Sequence, residues 1–286
     1  MSRQVNLTAT AGDGHAWELI GCVPAARKTT VLWLPALGVS ARNYLPLAQA
    51  LAGHGVATFV HEWRGNGSSS LRPSRSVNWG YREILQLDLP ASLAAITGEH
   101  TGPVLLGGHS LGGQLSCCFA ALHPDAFSGL LLVASGTPWW RSFPAPRRFL
   151  LPLAYRFLPW LARRQGVLHG RRIGFGGREA RGLIADWARV GLTNRYAARG
   201  WDIDLEQAIS QLQVPASAVV LDEDWLAPER SMRALLGKMQ NASTQLQCLS
   251  AQEIGTQADH FSWMKRPERL VQRLLDFSAP NFSQKH

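Results

Sequence analysis

The stretch PVLLGGHSLGGQLSCCFAAL, residues 103–122, carries two structural periods in succession. Pro103 to Gly107 is an apolar run of strand length, and Leu111 to Leu122 is an apolar run of helix length. Between them stands Gly108-His109-Ser110-Leu111-Gly112-Gly113. A strand that passes directly into a helix through G-x-S-x-G predicts a sharp, strained turn with its serine presented at the top. Glycines flank the serine because side chains there would strike the neighbouring strand and helix. Ser110 then stands at a helix N-terminus, whose free N–H groups favour negative charge.

Outward from this turn, strand-like runs alternate with helix-like ones. Residues 1–30 read as an antiparallel hairpin, and uninterrupted apolar runs follow at Thr30–Leu34, Val56–Val60, Leu130–Ala134 and Ala216–Leu221, with a weaker one at Gln245–Leu249. Runs without polar alternation suit strands buried on both faces. Helical stretches fall at Asn43–Ala52, Tyr81–Ile96 (with Pro90 expected to kink it) and Leu111–Leu122. This order predicts an α/β fold: a mostly parallel sheet covered on both faces. The alternation stops at Thr137 and resumes near Leu212. Residues 1–136 and 209–286 are therefore expected to form one core, and 137–208 an inserted helical cap, helical at Arg178–Val190 and Ile203–Leu212.

Composition agrees with a packed core. Of 286 residues, 46% are hydrophobic and 17% charged, which excludes a disordered chain. The longest apolar-rich run, Phe149–Ala162, is too short and too interrupted to span a bilayer. The net charge of +9 is not spread evenly. Between Thr137 and Gly200 lie thirteen arginines against Glu179 and Asp186 alone, and the rest of the chain is close to neutral. No nucleic-acid-binding motif accompanies that charge, so no nucleic-acid partner is expected. The N-terminus shows no apolar signal core, and Cys22, Cys117, Cys118 and Cys248 form no ligand or disulfide pattern. A cytoplasmic setting is expected, with no metal and no organic cofactor.

A serine hydroxyl needs a base to act as a nucleophile, and the base needs a carboxylate to orient it. In a strand-turn-helix context of this kind the expected order is serine, acid, histidine. The run ending at Leu221 leads into Asp222-Glu223-Asp224-Trp225-Leu226-Ala227-Pro228, and the run ending at Leu249 leads to Asp259-His260-Phe261. His260 alone follows the acids, apart from the terminal His286. Asp224 is preferred to Asp222 as the acid, for its four-residue step to Pro228; Asp222 capping the loop is the alternative. His15 and His100 read as loop residues, His54 as a helix end, and His109 and His123 as packing residues flanking the helix that follows the turn. Two N–H donors for an oxyanion are expected at Leu111 and, in the loop Pro35-Ala36-Leu37-Gly38, at Leu37.

With these residues in order, the chain resembles the α/β-hydrolase superfamily, and within it the branch of serine aminopeptidases and monoglyceride lipases with its bacterial α/β hydrolases. The resemblance extends to Arg64-Gly65-Asn66-Gly67-Ser68, similar to the family's D-x-R-G-x-G-x-S, to His123-Pro124, and in the cap to Trp139, Arg171-Arg172-Ile173-Gly174 and Asp186-Trp187-Ala188-Arg189. It departs at Pro35-Ala36, where the family often has His-Gly, at Glu62, where Asp is usual, and at Leu221, where Gly is common. A serine at the turn argues against the dehalogenase and epoxide-hydrolase relatives, whose nucleophile is Asp. The resemblance implies a hydrolase of carboxylic esters, thioesters or lipid acyl esters acting through Ser110, His260 and Asp224. An acyltransferase on the same residues and a binding protein without turnover are the alternatives.

Within the cap, RRFLLPLAYRFLPWLARR, residues 147–164, is an apolar stretch bracketed by arginine pairs. It reads as a lid over an apolar acyl pocket, with Trp139 and Trp140 as candidate substrate contacts, or as a helical cap with a solvated basic face. Attachment to a membrane surface is a third reading, disfavoured because Pro152 and Pro159 are expected to break the helix it would need.

Overall fold

The computed structural model describes residues 2–97 and 104–276. Three positions of the sequence reading, His100, Pro103 and His286, lie outside them. The hairpin forms as expected from β1 (Ser2–Thr10) and β2 (Ala16–Pro24). Then come β3 (Thr29–Leu34), α1 (Leu45–Gly53), β4 (Val56–Val60), α2 (Tyr81–Glu83), α3 (Leu89–Thr97), β5 (Val104–His109), α4 (Leu111–Leu122) and β6 (Gly129–Val133). Residues 134–215 carry α5 (Arg147–Gln165), β7 (Val167–His169), β8 (Arg178–Ala180), α6 (Arg181–Thr193) and α7 (Leu205–Ser210). The chain closes with β9 (Ala216–Leu221), α8 (Glu229–Leu236), β10 (Thr244–Leu249), α9 (Ala251–Ile254) and α10 (Glu268–Asp276).

Eight strands form one sheet in the order β1-β2-β4-β3-β5-β6-β9-β10. The β1–β2 and β2–β4 pairs are antiparallel and every other pair is parallel. The unbroken apolar runs are explained by the two layers they serve. Leu32, Leu34, Leu106, Leu130, Leu132, Ala218 and Val220 face one core with Leu115 and Phe119 of α4. Their neighbours Val31, Trp33, Leu105, Leu131, Val133, Val219 and Leu221 face the other, with Leu47 and Leu51 of α1 and Leu270 and Leu274 of α10. Because successive side chains alternate across a strand, both layers demand apolar residues and the period-2 signal vanishes. At the edge, β10 is only partly buried, which is why its run reads weakly.

Three local expectations meet a different structure. The kink expected at Pro90 takes the form of a π-helical stretch, Ile84–Asp88, which joins α2 to α3 and lets the helix pass a residue without an N–H. Arg178–Ala180 is not the first turn of a helix but a strand paired with β7, and α6 begins at Arg181. Most consequential, Pro152 and Pro159 do not break α5, which runs unbroken for 19 residues. An internal proline costs a helix about 3 kcal/mol or more in isolation, and here tertiary packing holds the segment against that cost. The Tyr155 ring meets Trp187 of α6 at 5.0 Å, fills the space that a side chain on Gly191 would need, and donates its hydroxyl to the carbonyl of Pro138.

Candidate active site

The parallel strands all end at one edge of the sheet, and the loops that leave β3, β5, β9 and β10 there carry the residues singled out above. Ser110 follows β5 with φ 56° and ψ −122°, a region that L-residues rarely occupy. Its N–H donates to Val133 O at 3.0 Å, which ties the strained residue to β6. The flanking glycines are a matter of space. A Cβ on Gly108 would lie 2.4 Å from Gly112 C and Gly113 N, and a Cβ on Gly112 would lie 2.1 Å from Leu34 O. Leu111 opens α4, so its N–H has no intrahelical acceptor.

Asp224 and His260 are brought together. Asp224 is buried in the loop after β9, and its Oδ2 lies 2.7 Å from His260 Nδ1. Its Oδ1 accepts from the N–H groups of Leu226 (2.8 Å) and Ala227 (3.1 Å), so the carboxylate is held from both sides. With Nδ1–H donated to the carboxylate, the neutral imidazole keeps Nε2 as its acceptor. The two loops are also stitched through Glu223: its N–H donates to Ala258 O at 3.1 Å, and its carboxylate Oε2 accepts from Ala258 N–H at 2.9 Å. Asp222, the alternative acid, is exposed. Ser110 Oγ forms no hydrogen bond with His260 among the described residues, and bonds of that kind often tighten only when substrate is held.

His109 and Tyr44 belong to the site in a way the sequence reading missed. Tyr44 Oη accepts from Ala36 N–H at 2.8 Å and lies 2.8 Å from His109 Nδ1. The phenol thus joins the Ala36 amide to the His109 ring. The His109 and His260 rings are 4.7 Å apart. Burial, reinforced by neighbouring His260, holds His109 well below the usual histidine range, so it is neutral. The phenol of Tyr44 is itself pushed up by burial. The only sequence signal was an aromatic residue a few positions beyond the Leu37 loop, which is too common a pattern to single out.

Leu37 lies in the loop between β3 and α1, and that loop is braced at several points. Trp63 Nε1–H donates to Pro35 O at 2.9 Å, and Glu62 accepts from Ser40 Oγ at 2.9 Å and from Ala41 N–H at 3.2 Å. Glu62 thus ties the loop after β4 to the loop after β3, with its carboxyl raised by burial. Residues 134–215 cover this loop directly. Gly38, at φ +73°, has Gly177 N where its Cβ would be (2.3 Å), and the Leu37 side chain packs with Leu158, Leu161 and Phe175 against Ala162, Leu168 and Ile184. The covering segment is pinned to the core by Tyr81 N–H donating to Asp186 Oδ2 (2.9 Å) and Gly182 N–H donating to Asn78 Oδ1 (2.9 Å). Trp139 and Trp140, the candidate substrate contacts, are half-buried at its start, where Arg141 lies 6.0 and 4.9 Å from their rings.

A hydrogen-bonded serine–histidine–aspartate chain also forms where the β1–β2 turn meets the loop after β4. His15 sits in the β1–β2 turn as expected but is fully buried, with Nδ1 3.0 Å from Asp88 Oδ1 and Nε2 2.9 Å from Ser69 Oγ. Arg64 donates to both oxygens of Asp88 (2.6 and 2.8 Å) and to Asp13 (2.7 Å). Ser69 Oγ is committed to Gly65 N–H, Leu71 N–H and Leu71 O. This chain is a closed internal network that locks the turn after β4. Of the other histidines, His54 ends α1 as read, and His123 ends α4 with its ring packed 4.6 Å from that of Phe119.

Comparison with known proteins agrees with the architecture. Esterase from Thermogutta terrifontis, solved with malate bound, is 20% identical, with 96% of this chain and 98% of that one covered at a TM-score of 0.61. Est1E from Butyrivibrio proteoclasticus, solved with ferulic acid bound, is 14% identical over 95% and 98% of the two chains at 0.61. DcsB, solved with a substrate analogue, is 14% identical over 98% and 100% at 0.68. At these identities the likeness establishes the shared fold. A search of curated proteins finds no match. Residues 25–252 match the family described as serine aminopeptidase, S33. Since that match takes in six of the eight strands of the sheet and the loops after β3, β5 and β9, the chain belongs to the serine aminopeptidase S33 family and is a hydrolase of the α/β fold.

Proposed function

We propose that the protein is a serine hydrolase of carboxylic esters, with Ser110 as nucleophile, His260 as base and Asp224 as the carboxylate that orients it. The observation that carries this reading is the 2.7 Å contact between His260 Nδ1 and Asp224 Oδ2, which leaves Nε2 free to take a proton. The strained position of Ser110 at the head of α4 supports it.

In the proposed reaction His260 Nε2 takes the Ser110 proton as Oγ forms a bond to the ester carbonyl carbon. The carbonyl oxygen becomes an oxyanion held by the N–H groups of Leu37 and Leu111. As the tetrahedral intermediate collapses, the carbon–alkoxy bond breaks and the leaving oxygen takes the proton from His260, releasing an alcohol. Water then attacks the acyl-serine, giving its proton to His260, and the second collapse returns that proton to Ser110 and frees the acid. Asp224 stays ionised throughout and stabilises the imidazolium.

Labelling by a fluorophosphonate probe, together with turnover of p-nitrophenyl esters, tests the proposal. Both are expected in the native chain and both are expected to vanish in Ser110→Ala. A folded native chain that neither labels nor turns over would overturn it.

A further inference from the structure

Helix α5 presents a surface that the hydrolase reading does not use. Phe149, Leu150, Leu153, Phe157 and Trp160 all lie on it, between 48% and 65% exposed, and they make up five of the nine exposed large apolar residues among the described ones. Their spacing, at positions i, i+1, i+4, i+8 and i+11, places them in one stripe along the helix. The opposite face, with Tyr155, Pro159 and Ala162, is buried against the protein. Arginines frame the stripe: Arg147 and Arg148 at one end, Arg163 and Arg164 at the other, and exposed Arg156 between them. The helix contains no acidic residue.

From this we infer that α5 docks the protein on a bilayer surface carrying anionic headgroups, lying flat with its apolar stripe below the headgroups and its arginines among the phosphates. The choice of occupant follows from charge. Pairing this stripe with that of a second copy would bring two all-arginine helices together, whereas an anionic lipid surface answers both the apolar and the cationic parts at once. No helix among the described residues is long and apolar enough to cross a membrane, so α5 lies on the surface. Nineteen residues give a footprint of about 28 Å. The patch also runs on to the catalytic edge: Arg147 stacks 4.9 Å from the ring of Trp225, which is 52% exposed and adjoins Asp224. The aromatic rings of Phe157 and Trp160, 5.6 Å apart, suit the boundary between headgroups and acyl chains.

The inference rests on surface chemistry alone and stands or falls separately from the catalytic reading. Its test is flotation of the full chain with unilamellar vesicles, either of phosphatidylcholine alone or with phosphatidylglycerol added. Flotation is expected with the anionic vesicles, weakened by high salt. Leu153→Ser and Phe157→Ser, at exposed positions, are each expected to lower partitioning about tenfold. Arg148→Gln is expected to lower it about fivefold. Fluorophosphonate labelling of these variants in solution is expected to match the native chain, which separates a docking defect from a catalytic one. Absence of flotation, or flotation indifferent to Leu153→Ser and Phe157→Ser, would overturn the inference. So would a dimer in sedimentation equilibrium that Leu153→Ser dissociates, since the stripe would then belong to a second copy.

Discussion

Tyr44 Oη lies 2.8 Å from His109 Nδ1, and so bridges the residue before Ser110 to the loop that carries Leu37. Removing the phenol in Tyr44→Phe strands Ala36 N–H and His109 Nδ1 inside the protein. Each unsatisfied buried group costs about 1–3 kcal/mol. Thermal unfolding is expected at a lower temperature by several degrees. In ester hydrolysis kcat is expected to fall while KM changes little, because the bridge braces the loop that carries the proposed oxyanion donor, Leu37. An unchanged kcat would show that the Leu37 loop holds its position without the bridge.

The two acids after β9 make opposite predictions. Asp224→Asn removes the acceptor for His260 Nδ1–H and is expected to lower kcat by roughly 10⁴, the scale seen when a triad aspartate is replaced by its amide. Asp222→Asn, at an exposed position, is expected to leave kcat within twofold of native. Steady-state kinetics on one p-nitrophenyl ester distinguishes them, and a large loss in Asp222→Asn alone would reassign the acid.

Ser69 is hydrogen-bonded to a histidine that meets an aspartate, and Ser110 is the proposed partner of His260 and Asp224, yet only Ser110 is expected to react. Ser69→Ala breaks a buried network with His15 and is expected to cost about 1–3 kcal/mol of stability while leaving fluorophosphonate labelling intact. Ser110→Ala is expected to do the reverse. Denaturant melts and gel fluorescence on the two variants check both halves, and loss of labelling in a folded Ser69→Ala would count against Ser110 as the sole nucleophile.

Glu179 gives the fold a pH dependence. Its carboxyl, accepting from Gly177 N–H at 2.6 Å, is pushed up by burial to about 7 from an ordinary value of 4.5. Between those values the folded chain keeps a proton that the unfolded chain has released. Stability therefore falls as pH rises through that window and levels off above about 7. At about 1.4 kcal/mol per pH unit the loss is at most about 3–4 kcal/mol. Glu179→Gln is neutral at every pH and retains an acceptor for Gly177. It is expected to melt with the native protein near pH 4.5 and several degrees above it at pH 8. Parallel melting curves across that range would show that Glu179 is ionised in the folded state throughout.

What the chain announced in advance was whatever depends on neighbours in sequence. The turn at Ser110 is written in glycines two to three residues away, and the buried strands in runs five or six residues long, so both are visible without a fold. Tyr44 and His109, by contrast, meet only once β3 and β5 have paired, and no local period records the contact. The burial of Glu179 and the closed network at His15 are hidden for the same reason. Helix α5 was obscured by a local signal that was real but outweighed. Two prolines argue for a break, and only the packing of Tyr155 against Trp187 and Gly191 shows why the helix survives them.

The contact between Gly38 and Gly177 limits how this protein can be rebuilt. Two backbones meet there with no space for a methyl group between them, one from the loop after β3 and the other from the turn joining β7 to β8. A segment transplanted from a relative in place of residues 134–215 would have to lead its backbone past Gly38 along the same line, or it would push the Leu37 loop aside. The covering segment is therefore not an interchangeable module, because its shape is shared with the loop beneath it.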